Sequence, residues 1–235
     1  MKLAILKSGT APPNSLRRFG DYDRMLAELM AAPQRQWITY DAEHGEFPDD
    51  IGAHEGYLVT GSRYSVYDDV PWIHRLLETL RAIHRTEIPL VGVCFGHQAI
   101  AQALGGEAAA NPLGWEIGVC PVNLTGHGNG LLAEPAPDPL YVVESHRDAV
   151  LRLPPGAVHL ASSPRAPYEM FSLGDHVLAL QGHPEMAHDT VRELIERRRS
   201  VISADRIAEG LVSLSRPNHS AYFRAVMDGF IPGGE

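Results

Sequence analysis

The stretch "LVGVCFGHQAIAQALGG", Leu90 to Gly106, decides the fold. An apolar run ends at Val93, a helix-like run starts straight after Cys94, and Gly92 and Gly96 flank the cysteine. Strand-to-helix turns of the G-x-S-x-G kind have this form: a side chain at either glycine would clash with neighbouring backbone, and the central residue is lifted above the sheet. Two readings of Cys94 stand at this point. It is either a small buried hydrophobe in a well-packed turn, or a nucleophile at a helix N-terminus, where free N–H groups and the macrodipole favour thiolate.

Working outward, short apolar runs alternate with helical patterns, which predicts an α/β layer architecture with strands buried on both faces. "LAILKSG" reads as the first strand, "SLRRFGDYDRMLAELMAA" as a helix, "QWITYDA" as the second strand and "GYLVTGS", Gly56 to Ser62, as the third. In "VPWIHRLLETLRAIHR" Pro71 sits in the first helical turn, where its missing N–H costs little. "PLVGV" is then the strand that delivers Cys94. Beyond Gly106 the runs "GVCPVNL", "LYVVES", "AVHLAS", "YEMFSL" and "VLALQGH" follow one another without helices between them, which predicts a small antiparallel layer joined to the parallel sheet. Thr190 and Glu193 form a capping-box pattern at the start of a helix. "ADRIAEGLVSLS" and "SAYFRAVMDGF" supply two more helices, and "PGGE" is expected to fray. The expected organisation is one domain over residues 1–235, with a core to residue 186 and C-terminal helices over 187–235. The Pro-rich "AEPAPDP", Ala133 to Pro139, reads as a surface loop.

Composition narrows the function. The 235 residues are 44% hydrophobic with a formal charge of −9 and no long basic run, which argues against a nucleic-acid partner. The densest basic cluster, "ERRRS", Glu196 to Ser200, reads as the solvated face of a helix. No apolar segment has the length of a membrane span or a signal peptide, and two cysteines suit a reducing compartment, so a soluble cytoplasmic protein is expected. Twelve histidines raise a metal site, but no H-E-x-x-H or paired C-x-x-C is present, and neither a metal nor another cofactor is expected.

A cysteine acting on an amide needs a base to exchange its proton with the leaving amine, and a third group to orient that base. "LALQGHPEM" offers His183 and Glu185. They are two positions apart, hence on one side of an extended segment that Pro184 stiffens. Taken alone, the pair reads equally well as a surface histidine beside a first-turn charge.

"VGVCFGHQ" together with "QGHPEM" resembles the class I glutamine amidotransferases, which share G-x-C-x-G-x-Q and H-P-E on a flavodoxin-like three-layer α/β/α fold. "GYLVTGS", "LGWEIGV" and "ESHRDAVLRLPPGAVHLASS" extend the resemblance, the last of them to the amidotransferase domain of GMP synthases. It runs from the first strand to about Met186. What it implies is a triad in which Cys94 attacks the γ-carboxamide of glutamine, His183 serves as base and then acid, and Glu185 holds the imidazole. The oxyanion would meet the backbone N–H groups of Gly61 and Phe95, and Gln98, Ser145 and His146 would hold the amino-acid part of the substrate. Where many members have G-G-P, this chain has Gly61-Ser62-Arg63, and no ammonia-using synthase segment follows the triad.

"FGDYDRMLAEL", "GEFPDD" and "TGSRYSVYDDVPWI" resemble the stand-alone branch that includes γ-glutamyl peptidases. The first expectation is therefore hydrolysis of glutamine, with ammonia passed to a separate synthase partner. The second is a γ-glutamyl peptidase that needs no partner, and a third is a non-catalytic binding module. Arg63, Tyr64, Tyr67 and Trp115 are the candidates for the leaving-group side.

Overall fold

In a computed structural model, which describes residues 1–131 and 135–234, the chain lays down a nine-stranded sheet in the order β2-β1-β3-β4-β11-β10-β9-β6-β7. The parallel half comprises β1 (Lys2–Lys7), β2 (Gln36–Asp41), β3 (Tyr57–Val59), β4 (Leu90–Val93) and β11 (Val177–Leu180). Its order is the 2-1-3-4-5 of flavodoxin-like sheets, whose ligands bind beyond the carboxyl ends of the strands. β6 (Glu116–Leu124), β7 (Leu140–His146), β9 (Val158–Ser162) and β10 (Met170–Leu173) continue the same sheet with antiparallel pairing. The expected antiparallel layer is thus mostly an extension of the main sheet. β5 (Glu107–Ala110) and β8 (Asp148–Arg152) pair as a separate two-stranded sheet that the sequence patterns did not pick out.

Alternation along β1 splits the core in two. Ala4 and Leu6 face α3 (Pro71–Arg85) and α4 (Phe95–Ala103), where Ile73, Leu76, Leu80, Ala99 and Ile100 are buried. Leu3 and Ile5 face the opposite layer, which includes Leu26 and Met30 at α2 (Tyr22–Leu29) and Phe223, Val226 and Met227 of α8 (Ser220–Asp228). A third cluster seats α6 (His188–Arg197) and α7 (Ala204–Ser213) on the antiparallel half through Val119, Val143, Val191, Ile195 and Ile207. A short helical turn, α5 (Gly126–Asn129), lies between β6 and β7. No described helix is long and apolar enough to cross a membrane.

Three local expectations change. The long helix after β1 is interrupted: α1 (Pro13–Phe19) stops at Gly20, with φ of 85°, and α2 restarts with Asp21 as its N-cap. Thr190 does not cap α6, whose N-cap is Ala187; it lies buried in the first turn. Glu193 instead caps α1 across space, accepting from the Asn14 and Ser15 amides at 3.0 and 2.8 Å and from the Ser15 hydroxyl at 2.7 Å. The chain end does not hang free as far as Pro232, because the buried Arg35 guanidinium donates to the carbonyls of Ile231 and Pro232 and pairs with Asp228 at 2.6 Å. Of the expected Pro-rich loop, Pro135 to Pro139 form an irregular segment before β7, while Ala133 and Glu134 lie outside the described residues, as does Glu235.

Candidate active site

Cys94 stands between β4 and α4 with φ of 54° and ψ of −103°, a backbone conformation that a non-glycine residue holds only when its surroundings impose it. Those surroundings are tight. A Cβ at Gly92 would lie 2.6 Å from the Gly96 carbonyl, and one at Gly96 would lie 2.5 Å from the Val59 carbonyl. The Cys94 amide donates to Leu180 of β11 (2.9 Å), so the turn is tied to strands on both sides.

His183 and Glu185 follow directly after β11. The His183 amide donates to Val143 of β7 (2.7 Å), and its Nδ1–H donates to Glu185 Oε1 (2.7 Å), which leaves Nε2 for Cys94. All three side chains are buried, Cys94 at 6%, His183 at 3% and Glu185 at 1% exposure. Burial pushes the Cys94 thiol up, but the charge of His183 and a hydrogen bond from it outweigh burial and bring the thiol below its ordinary value. Burial likewise disfavours a charged His183, yet Cys94 and Glu185 together hold the imidazole well above the usual histidine range. The two directions describe one thiolate–imidazolium pair, with the α4 N-terminus adding to the preference for thiolate.

Gly61 lies against both members of that pair. A Cβ there would sit 3.0 Å from His183 Cε1 and 3.8 Å from Cys94 Cβ. The Gly-Ser-Arg departure from the family pattern is braced locally: Thr60 Oγ1 accepts from the Ser8 amide (2.9 Å) and donates to the Gly61 carbonyl (3.0 Å). Gly9 packs so closely on Ser62 that a Cβ would meet its Cα at 2.9 Å. Phe95 is the first residue of α4, a position whose N–H has no intrahelical acceptor.

Cys94 opens into a cleft floored by Phe95, Gln98, Ser145 and His146. All four residues expected on the leaving-group side, Arg63, Tyr64, Tyr67 and Trp115, also line it. The segment that carries the first three is tied down: Tyr64 packs edge-on to Trp72, and Asp148 accepts from Ser65 Oγ (2.5 Å) and Tyr67 OH (3.0 Å). Gln98 is more committed to the protein than expected. Its amide nitrogen donates to the Asp148 carbonyl (2.9 Å) and to Gln181 Oε1 (3.0 Å), so only its own carbonyl oxygen remains for a ligand. His146 Nδ1–H donates to the Asp148 carbonyl (2.9 Å), and its Nε2 faces Glu144 and Glu116 at 3.3 and 3.5 Å.

Sequence reasoning missed Arg198. The "ERRRS" cluster is not wholly solvated: Arg198 is the C-cap of α6 and turns into the cleft, stacks over Trp115 with its guanidinium 5.0 Å from the ring, and donates to Ser145 Oγ at 2.7 Å. Among the described residues no carboxylate pairs with it. Tyr22 was missed as well; it is buried near Cys94, Glu185 and Arg198, and burial holds its hydroxyl protonated. No local signal singled out either residue. Among the described residues no group of three His, Cys, Asp or Glu is placed to hold a metal ion.

The family model for "Glutamine amidotransferase class-I" matches residues 23–200. The chain is 31% identical over 207 residues to γ-glutamyl peptidase 4 of Arabidopsis thaliana, covering 85% of this chain and 80% of that one. It is 34% identical over 152 residues to the glutamine-hydrolysing GMP synthase of Aeropyrum pernix, 64% of this chain but 28% of that protein. The crystal structure of a glutamine amidotransferase from Thermotoga maritima superposes with a TM-score of 0.77 at 21% identity, over 98% of this chain and 97% of that one. The chain belongs to the class I glutamine amidotransferase family.

Proposed function

We propose that this protein hydrolyses the C–N bond of a γ-glutamyl amide through a γ-glutamyl thioester on Cys94. The observation that carries the reading is the buried Cys94–His183–Glu185 array at the bottom of a cleft. The thiolate attacks the γ-carbonyl carbon, and the carbonyl oxygen takes up negative charge beside the amides of Phe95 and Gly61. Donors of this kind contribute about 3 kcal/mol each where they have been removed from other enzymes. His183 Nε2–H then protonates the nitrogen, the C–N bond breaks and the amine departs. Water, deprotonated by His183, attacks the thioester, and glutamate leaves as the thiolate is restored. The Arg198 guanidinium, which meets no carboxylate among the described residues, suits the α-carboxylate, and the Gln98 carbonyl oxygen suits the α-ammonium.

Two observations favour a peptide leaving group over ammonia. The cleft lining includes Arg147 and Arg63, the latter 3.1 Å from Glu43, which suits a leaving group with its own carboxylate, and the relatives include γ-glutamyl peptidases aligned over 85% and 77% of this chain. Glutamine hydrolysis for a separate synthase partner is the second reading, supported by the similarity to the GMP synthase of Aeropyrum pernix. Supplying glutathione and glutamine separately and measuring glutamate release decides between them: turnover of glutathione with little of glutamine is expected, and the reverse supports the second reading. The intact triad speaks against a non-catalytic module, and full activity of Cys94→Ala would contradict both hydrolytic readings.

A further inference from the structure

We propose that Glu169 and Glu144 form one hydrogen-bonded acid pair that grips the Gly182 backbone and so positions the neighbouring His183 ring against Cys94. The inference rests on the hydrolytic reading above, and it concerns groups that the triad chemistry does not use. Glu144 lies on β7 and Glu169 just before β10; they are exposed to 0% and 1%. Both carboxyls converge on one backbone position. A Cβ at Gly182 would lie 2.8 Å from Glu144 Oε1 and 3.0 Å from Glu169 Oε1, so only glycine leaves room for the two. Glu169 Oε1 accepts the Gly182 amide at 2.8 Å, the Glu169 carbonyl accepts the Gln181 amide at 2.8 Å, and the next amide, His183, donates to Val143 beside Glu144. Three successive amides before and at the catalytic histidine are therefore held by the two segments that carry the acids.

Buried carboxyls in contact cannot both ionise without a large cost, so the pair retains a proton between them. Burial and the charge of Glu116 push both carboxyls well above the usual range; the contact between them raises Glu169 further and, on Glu144, offsets part of the rise without reversing it. β6 contributes Glu116 and Cys120, β7 contributes His146, and the catalytic side contributes His183 and Cys94. Glu116 is bonded by Ser163 Oγ (2.6 Å) and faces the His146 imidazole, whose charge it favours against burial. Cys120 stays a thiol, because burial and the three acids push it up. As pH rises, loss of the shared proton sets two negative charges against each other behind Gly182 and beside the Cys94 thiolate. The pair should thus limit activity on the alkaline side.

The test compares E169A, E169Q and E144Q with the wild-type protein. E169A removes the acceptor of the Gly182 amide and should lower kcat about tenfold or more, since small misplacements of a catalytic group are costly, with KM changed less than about twofold. E169Q keeps an oxygen acceptor and should restore kcat to within about threefold of wild type. E144Q replaces the shared proton with permanent N–H donors and should move the alkaline fall in kcat upward by about one pH unit or remove it. Iodoacetamide alkylation of Cys94 against pH is read in parallel, and its midpoint should rise in E169A. Should E169A fail to fold, E144Q and E169Q still decide. An E169A with wild-type kcat and alkylation, or glutamine variants with an unmoved alkaline limb, would overturn the proposal. A wild-type protein that releases no glutamate yet alkylates normally would instead count against the hydrolytic reading, leaving the pair to be judged by alkylation.

Discussion

The two halves of the sheet are built from different materials. In the parallel half the inner strands β3, β4 and β11 carry no charged residue, and the buried residues of β1, β3, β4 and β11 include no ionisable side chain except Tyr57. The antiparallel half buries Glu116, Glu144, His146 and Glu169 at 4% exposure or less. One half provides position: close-packed glycines hold Cys94 in a conformation it would not otherwise adopt. The other provides charge, packing His146 and three buried acids against the imidazole and thiol that the parallel strands deliver. The reacting groups lie at the junction, since β11 belongs to the parallel half through β4 and to the antiparallel half through β10.

Removing the nucleophile should have the largest effect. Cys94→Ala should lower glutamate release at least about 10⁴-fold while leaving the fold intact, read as kcat and the circular dichroism spectrum. Next comes the positional half. Gly96→Ala forces a Cβ to 2.5 Å from the Val59 carbonyl and should cost about 3 kcal/mol, seen as a lower urea midpoint, whereas Gly126→Ala, with open space around it and no positive φ, should leave the midpoint nearly unchanged. At the junction, Glu185→Gln leaves the shape but not the charge, and should lower kcat about 10²-fold with a smaller change in KM. The pH dependence should follow. Because His183 holds the thiol below its ordinary value, alkylation of wild-type Cys94 should persist as pH falls below that of a free cysteine, while His183→Ala should move the midpoint above it, since burial remains. Smallest is an effect outside both halves. Glu193→Ala removes the cap of α1 and should cost about 1 kcal/mol without changing kcat. Its hydrogen bonds to Ser15 and Asn14 outweigh burial and lower its carboxyl pKa. That stability is therefore present above the unfolded value and lost as pH falls through the folded one, so Glu193→Ala should flatten the acid side of the stability curve.

The parallel half was the more legible in the sequence, for a physical reason. Its inner strands are short apolar runs, and its turn needs glycine at fixed offsets, so Gly92, Cys94 and Gly96 announce themselves within five residues. Gly61 came from the family resemblance and lies against His183 and Cys94, while Arg63, Tyr64, Tyr67 and Trp115, chosen for the leaving-group side, line the same cleft. What stayed hidden depends on contacts between distant segments. Arg198 reads as one of three adjacent arginines until α6 ends and turns it over Trp115, 83 residues earlier in the chain. Glu144, Glu169 and Glu116 look like ordinary acids of half-buried strands, and β5 and β8 are short runs whose pairing no local pattern marks. Thr190 and Glu193 carried a true local signal that tertiary structure overrode, because Glu193 found better donors at the start of α1.

The central claim is that Cys94 carries the γ-glutamyl group between the two half-reactions. Intact-mass spectrometry of the protein quenched in acid during turnover of glutathione, with glutamine in a parallel run, tests it most directly. The account predicts a glutamyl adduct that maps to Cys94, is released by hydroxylamine and is absent from Cys94→Ala. Glutamate release that continues in Cys94→Ala, with no adduct on the wild-type protein at any time, would contradict it.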